Sequence, residues 1–177
     1  MNKLTFNDTT IEITVNDIAN AECDAIVIPT NSRLLPSGTI RCKVLRKAGS
    51  QVQVECNRIM QKISNISMGD AVITSGGNLN SKFLLHIRSG HDKKKLILAT
   101  WNSLKLADQK ENIKSICFPP ISLEVIGFNA QTCAEIILST IKKYILEKNV
   151  NIKNISIYLE TLPDYKEFEK TLDNLNK

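Results

Sequence analysis

Hydrophobic and polar positions change period repeatedly along this chain. Ile11-Glu-Ile-Thr-Val15 alternates with a period of two, as a half-buried strand does, and Asn16-Asp17 breaks it. Ala25 to Ile28 is a short β-branched run of the kind that forms a fully buried strand, and it stops abruptly on Pro29-Thr30-Asn31-Ser32. Helical spacing takes over from about Thr39 to Ala48 (Ile40, Val44, Leu45) and from Ser50 to about Ser64 (Val52, Val54, Ile59, Ile63), with Gly49 between the two. Ala71–Thr74 and Phe83–Ile87 read as strands that pair across a loop containing Gly76-Gly77-Asn78. A helix is expected from about Lys93 to Asp108, then a buried strand at Ser115–Phe118 stopped by Pro119-Pro120. Beyond it, Ala134, Ile137, Leu138, Ile141 and Ile145 mark one face of a long helix. Ile155–Leu159 is a strand, and Tyr165, Phe168 and Leu172 mark a last helix after Pro163.

Strands separated by helical segments throughout predict an α/β sandwich. No repeat, low-complexity run or linker interrupts the pattern, and 177 residues suffice for one sizeable core but not for two, so a single domain over 1–177 is expected.

Composition removes several function classes. No apolar run approaches the roughly 18 residues of a membrane span, and Met1-Asn-Lys-Leu-Thr-Phe-Asn-Asp8 lacks the apolar core of a signal peptide. A cytoplasmic protein without a membrane partner is therefore expected. Cys23, Cys42, Cys56, Cys117 and Cys133 are odd in number, irregularly spaced and never Cys-x-x-Cys, which suggests a reducing compartment and no structural zinc. His86 and His91 lack neighbouring ligands at metal-binding spacing, so neither metal nor cofactor is expected. The net charge of +5 would suit a polyanion, but the lysines are scattered along helices and their densest cluster is Lys93-Lys94-Lys95. A solvated surface explains that better than a nucleic-acid partner, which stays as the lesser alternative.

The end of the Ala25–Ile28 strand carries the first candidate chemistry. Ligands of open α/β sheets bind in the crevice beyond the strand tips, so Asn31 is a site candidate by position. The competing reading is an Asn that bonds its own turn.

Three blocks in order, Asn16-Asp17-Ile18, Asp24-Ala-Ile-Val-Ile-Pro-Thr-Asn31-Ser32 and Ile121-Ser122-Leu-Glu-Val-Ile-Gly127-Phe128, resemble a macrodomain, the ADP-ribose-binding α/β/α module. Arg46-Lys-Ala-Gly49, Gly69-Asp-Ala-Val-Ile-Thr74, Asn78-Leu79, His86 and Asn102-Ser-Leu104 support the resemblance, which covers nearly the whole chain. It implies a three-layer α/β/α sandwich around a central mixed sheet. It implies further that the Asp17 carboxylate accepts from the exocyclic amine of adenine while the Ile18 backbone N–H donates to the base. Without the resemblance, Asp17 reads as a helix cap. Asn31 would contact the distal ribose. Ser122, Leu123, Glu124, Val125, Ile126, Gly127 and Phe128 would form the loop whose backbone amides surround the diphosphate, with Gly127 allowing close approach.

Departures from the pattern bear on activity. Hydrolytic members follow the Asn31-type residue with a glycine-rich loop and, ten positions after that Asn, an Asp that orients the attacking water. Here the stretch is Pro36-Ser-Gly-Thr-Ile-Arg41, and a guanidinium that stays protonated cannot act as a base. The family's other strand-end Asn is Ile28, which offers no hydrogen bond. Glu124 stands where Gly is common, and Ile126 where an aromatic often packs on the ribose. A Glu124 carboxylate aimed at a diphosphate would repel it, whereas Arg41 could pair with Glu124 or grip phosphate. The resemblance thus implies a divergent reader of ADP-ribose, a related adenine nucleotide or an ADP-ribosylated protein, with no catalytic residue. Its rivals are an ADP-ribosyl hydrolase that uses substrate-oriented water, and a macrodomain turned to poly(A)-like nucleic acid.

Overall fold

In the computed structural model, which describes residues 2–121 and 128–176, the chain runs β1 (Lys3–Phe6), β2 (Thr9–Val15), a 3-10 turn (Ile18–Asn20), β3 (Ala25–Pro29), α1 (Thr39–Ala48) and α2 (Ser50–Lys62). It continues through β4 (Ala71–Ser75), β5 (Phe83–Ile87), α3 (Lys93–Asp108), β6 (Ser115–Phe118), α4 (Ala130–Glu147), β7 (Asn154–Leu159) and α5 (Leu162–Leu175). The strands form one mixed sheet of order β1-β2-β7-β6-β3-β5-β4. β2, β7, β6, β3 and β5 are parallel neighbours, while β1 and β4 are antiparallel edges. The expected β4–β5 pair is present, with Ala71 opposite Ile87.

Period two sorts the strand residues onto two faces. Ala25, Val27, Leu85, Ile87, Ile116, Phe118, Ile155 and Ile157 pack with α3, α4 and α5 in the larger core, whereas Ile26, Ile28, Leu84 and Cys117 pack with α1 and α2 in the smaller one. Strands so placed are buried on both sides, which is why β3 reads as an unbroken apolar run. The result is the three-layer α/β/α sandwich around a mixed sheet. Asp92, Asn129 and Thr161 cap α3, α4 and α5 by accepting from Lys94 N, Thr132 N and Asp164 N, worth about 1 kcal/mol apiece. Gly49 joins α1 to α2 at φ +90°, where a side chain would be strained and its Cβ would lie 2.8 Å from Asn78 Nδ2.

Two elements went unread in the pattern. β1 is a four-residue edge strand too short to show a period, and it folds back on β2 through Asn7-Asp8, with Asn7 at φ 49°. The 3-10 turn after Asp17 is shorter than one helical repeat. α5 begins one residue before Pro163, which lies in its first turn where a missing N–H costs nothing.

Candidate functional site at the strand tips

From β3 the chain moves through α1, α2 and β4 to β5 on one side, and then through α3 to β6 on the other side of β3. The strand order therefore reverses between β3 and β6, and at such a reversal the turns beyond the carboxyl ends separate and leave a crevice. Thr30-Asn31 follows the tip of β3 and Pro119-Pro120 the tip of β6. α1 and α4 begin just beyond these two turns, so the partial positive charge of two helix N-termini faces the same end of the sheet. Ser122, Leu123, Glu124, Val125, Ile126 and Gly127, expected around the diphosphate, lie outside the described residues. Phe128, at the foot of that loop, is half-buried and packs against the larger core.

Asp17 lies beyond the tip of β2, at the same end of the sheet. It follows β2 and caps the 3-10 turn, its Oδ1 accepting from the Ala19 N–H at 2.9 Å, so the capping role read from the sequence is present. The adjoining Ile18 side chain is buried under α1 and anchors the turn. The Nζ of Lys43, one turn into α1, lies 3.6 Å from Asp17 Oδ1 and also pairs with the Glu160 carboxylate just beyond β7. The hydrogen bond to Glu160, followed by the charges of Glu160 and Asp17, holds the Lys43 ammonium above its ordinary pKa. Three segments distant in sequence thus meet in a carboxylate–ammonium–carboxylate row.

The β3 end differs. Asn31 spends its carboxamide on its own loop: Oδ1 accepts from Arg33 N (3.0 Å) and Leu35 N (3.1 Å), and Nδ2 donates to Leu35 O and Ser37 Oγ, both at 3.0 Å. A ribose contact would have to exchange one of these bonds. Arg41 was expected at the ligand, and the structure places it elsewhere. It is fully buried, with Nε donating to Leu35 O (2.9 Å), Nη2 to Leu34 O (2.7 Å) and Nη1 to His86 Nδ1 (2.8 Å). The physical reason is that the 34–35 carbonyls turn inward and need donors there; Leu34 itself is buried at φ 58°. Ile28, in the place of the second strand-end Asn, is fully buried in the smaller core and brings no polar atom to the tip.

Arg41 has donors only, so His86 Nδ1 must accept and the ring proton sits on Nε2. Nε2–H then donates to Thr74 Oγ1 at 2.8 Å, and Thr74 donates to Ser75 O at 3.0 Å. Burial, reinforced by the Arg41 charge, pulls the His86 pKa down to about 3, so the ring is neutral. Burial also lowers the pKa of Arg41, though a guanidinium keeps its proton. Lys43, Glu160 and Thr74 escaped the sequence reading because no local spacing links positions 17, 43 and 160, or 41, 74 and 86. Among the described residues no cluster of three or more His, Cys, Asp or Glu side chains is arranged to hold a metal ion, and the cysteines form no disulfide.

A mixed sheet covered by helices on both faces, with its strand order reversing between β3 and β6, defines an α/β/α sandwich. A macro domain model matches residues 27–137, and the chain belongs to the macro domain family. It is 31% identical to a macro domain-containing protein of Caldanaerobacter subterraneus subsp. tengcongensis, over 94% of this chain and 98% of that one. It is 33% identical to a protein of Pantoea vagans named O-acetyl-ADP-ribose deacetylase 1, over 86% of this chain and 98% of that one. The Oceanobacillus iheyensis macrodomain solved with ADP superposes with a TM-score of 0.90 at 28% identity, covering 98% of this chain and 95% of that chain. A single-residue variant of that protein, solved with ADPR, gives 0.91 over 98% and 97% at the same identity.

Proposed function

We propose that this chain binds ADP-ribose, or a closely related adenine nucleotide, in the crevice between β3 and β6 and acts as a reader that does not cleave it. The strand-tip end of the sheet carries the reading: a carboxylate beside a backbone N–H after β2, the N-termini of α1 and α4, and, among the described residues, no protein base at the β3 tip. Asp17 accepts from the adenine amine, the Ile18 N–H donates to the ring, and the 122–128 loop together with the α4 N-terminus receives the diphosphate. Asn31 and Arg41 serve by holding the 31–37 loop in shape. The related proteins solved with ADP and ADPR support the ligand class.

A hydrolase reading has one observation in its favour, the deacetylase name of the Pantoea relative. Against it stands the buried Arg41 where a water-orienting Asp is expected. A thermal-shift series with ADP-ribose, NAD, AMP, ATP and short oligoadenylate tests the proposal. A ligand at 100 times its Kd stabilises the fold by about 2.7 kcal/mol, and ADP-ribose should give the largest shift. A response to oligoadenylate with none to ADP-ribose would move the assignment to nucleic acid.

A further inference from the structure

Lys43 is the one feature of the base end that reading adenine does not use. An adenine 6-edge presents an amine donor and a ring acceptor, and Asp17 with the Ile18 N–H already matches both. The Lys43 ammonium adds a donor beside that acceptor, 3.6 Å from Asp17 Oδ1. It is held from both sides, by Asp17 and by Glu160, on a helix that Lys47 also ties to the 3-10 turn through the side chain of Asn20. Its side chain remains one-third exposed, so a ligand can reach it. An ammonium carries three N–H donors; one hydrogen-bonds the Glu160 carboxylate, while Asp17 pairs with its charge at 3.6 Å.

A 6-oxopurine presents the reverse order, an O6 acceptor beside an N1–H donor, and it fits when the base slides by one position, so that N1–H rather than the 6-substituent meets Asp17. We infer that Lys43 is a specificity-determining residue that opens the site to 6-oxopurine nucleotides as well as adenine ones: N1–H donates to Asp17 while Lys43 donates to O6. This rests on the placement of the base at Asp17 proposed above. Lys43 would then do nothing for an adenine ligand, whose amine it opposes, and would be needed for a hypoxanthine one. A merely structural ion pair would affect both ligands alike.

The test is calorimetric titration of the full chain with ADP-ribose and with its hypoxanthine counterpart, IDP-ribose, on the wild type, Lys43→Met and Glu160→Gln. Wild type should bind the two within about tenfold. Lys43→Met should weaken IDP-ribose by about tenfold or more, the scale of one charge-assisted hydrogen bond, while ADP-ribose holds or tightens. Glu160→Gln keeps the ammonium and removes one of its two carboxylate partners, so it should cost IDP-ribose less than Lys43→Met does. The inference alone is overturned if wild type prefers ADP-ribose by more than a hundredfold, or if Lys43→Met shifts both ligands equally. Binding of neither ligand would overturn the placement of the base at Asp17 and this inference with it.

Discussion

The two faces of the sheet are built to different rules. Against α3, α4 and α5 the strands present mainly apolar groups, with Ile116, Phe118, Ile155 and Ile157 meeting Ile137, Leu138, Ile141 and Phe168. Against α1 and α2 the apolar cluster around Ile26 and Ile28 shares its layer with a buried polar chain, Arg41 to His86 to Thr74. The apolar face makes the sandwich, and it tolerates exchange of one hydrophobe for another of similar volume. The polar chain contributes shape: it fixes the 34–35 carbonyls and hence the loop at the β3 tip, where a crevice ligand would lie. Both rules serve one fold, and the buried polar chain on the second face shapes the β3 tip.

The sharpest way to break this contrast is to remove the guanidinium. Arg41→Met leaves the His86 ring nitrogen without a donor, at about 1 to 3 kcal/mol, and takes one donor each from the Leu34 and Leu35 carbonyls, which keep Gln53 Nε2 and Asn31 Nδ2, at about 0.5 to 1.5 kcal/mol each, partly offset by relief of a buried charge. A net loss of roughly 2 to 4 kcal/mol in chemical denaturation is expected, against about 0.5 to 1.5 for Ile137→Val on the other face. Arg41→Lys should not rescue it, because one ammonium cannot span three separated acceptors. Equal costs on the two faces would remove the distinction.

A smaller effect comes from pH. The His86 pKa falls from its ordinary 6.5 to about 3 on folding, so between those values the unfolded chain binds a proton that the native protein excludes. Stability from the neutral ring is complete above pH 6.5 and is lost as pH falls toward 3, at up to about 1.4 kcal/mol per unit. Thermal melts between pH 6.5 and 5 should show that slope, above the range where most carboxylates titrate. His86→Asn, whose carboxamide oxygen can still accept from Arg41, should flatten it.

At the base end, Asp17→Ala should weaken ADP-ribose by roughly 1 to 3 kcal/mol, the range for a hydrogen bond to a charged group. Titration calorimetry on folded protein checks it, and unchanged affinity would detach Asp17 from the ligand.

Local order was legible in the sequence where period and punctuation agree. β2, β3, β5 and β6, the two consecutive helices around Gly49 and the long α4 all follow from spacing, and the mixed sheet from the resemblance. Asp17 was legible as a cap because capping is local. What escaped was long-range and polar. Nothing in Pro36-Ser-Gly-Thr-Ile-Arg41 says that the arginine turns inward, since that depends on a histidine far along the chain in β5 and on carbonyls left facing the core. Asn31 was readable either way, as a ligand contact or as a turn residue. Its four hydrogen bonds within 31–37 show the turn-residue role.

Binding without cleavage is the central claim, and a mass-spectrometric time course with an ADP-ribosylated peptide tests it most directly. A site without a protein base forgoes the roughly 10²- to 10⁴-fold that general-base help supplies. The unmodified protein should therefore retain the peptide on a pull-down, with its ADP-ribose intact over hours. Rapid release of ADP-ribose, abolished by Asn31→Ala, would contradict the account and place this chain among the hydrolases.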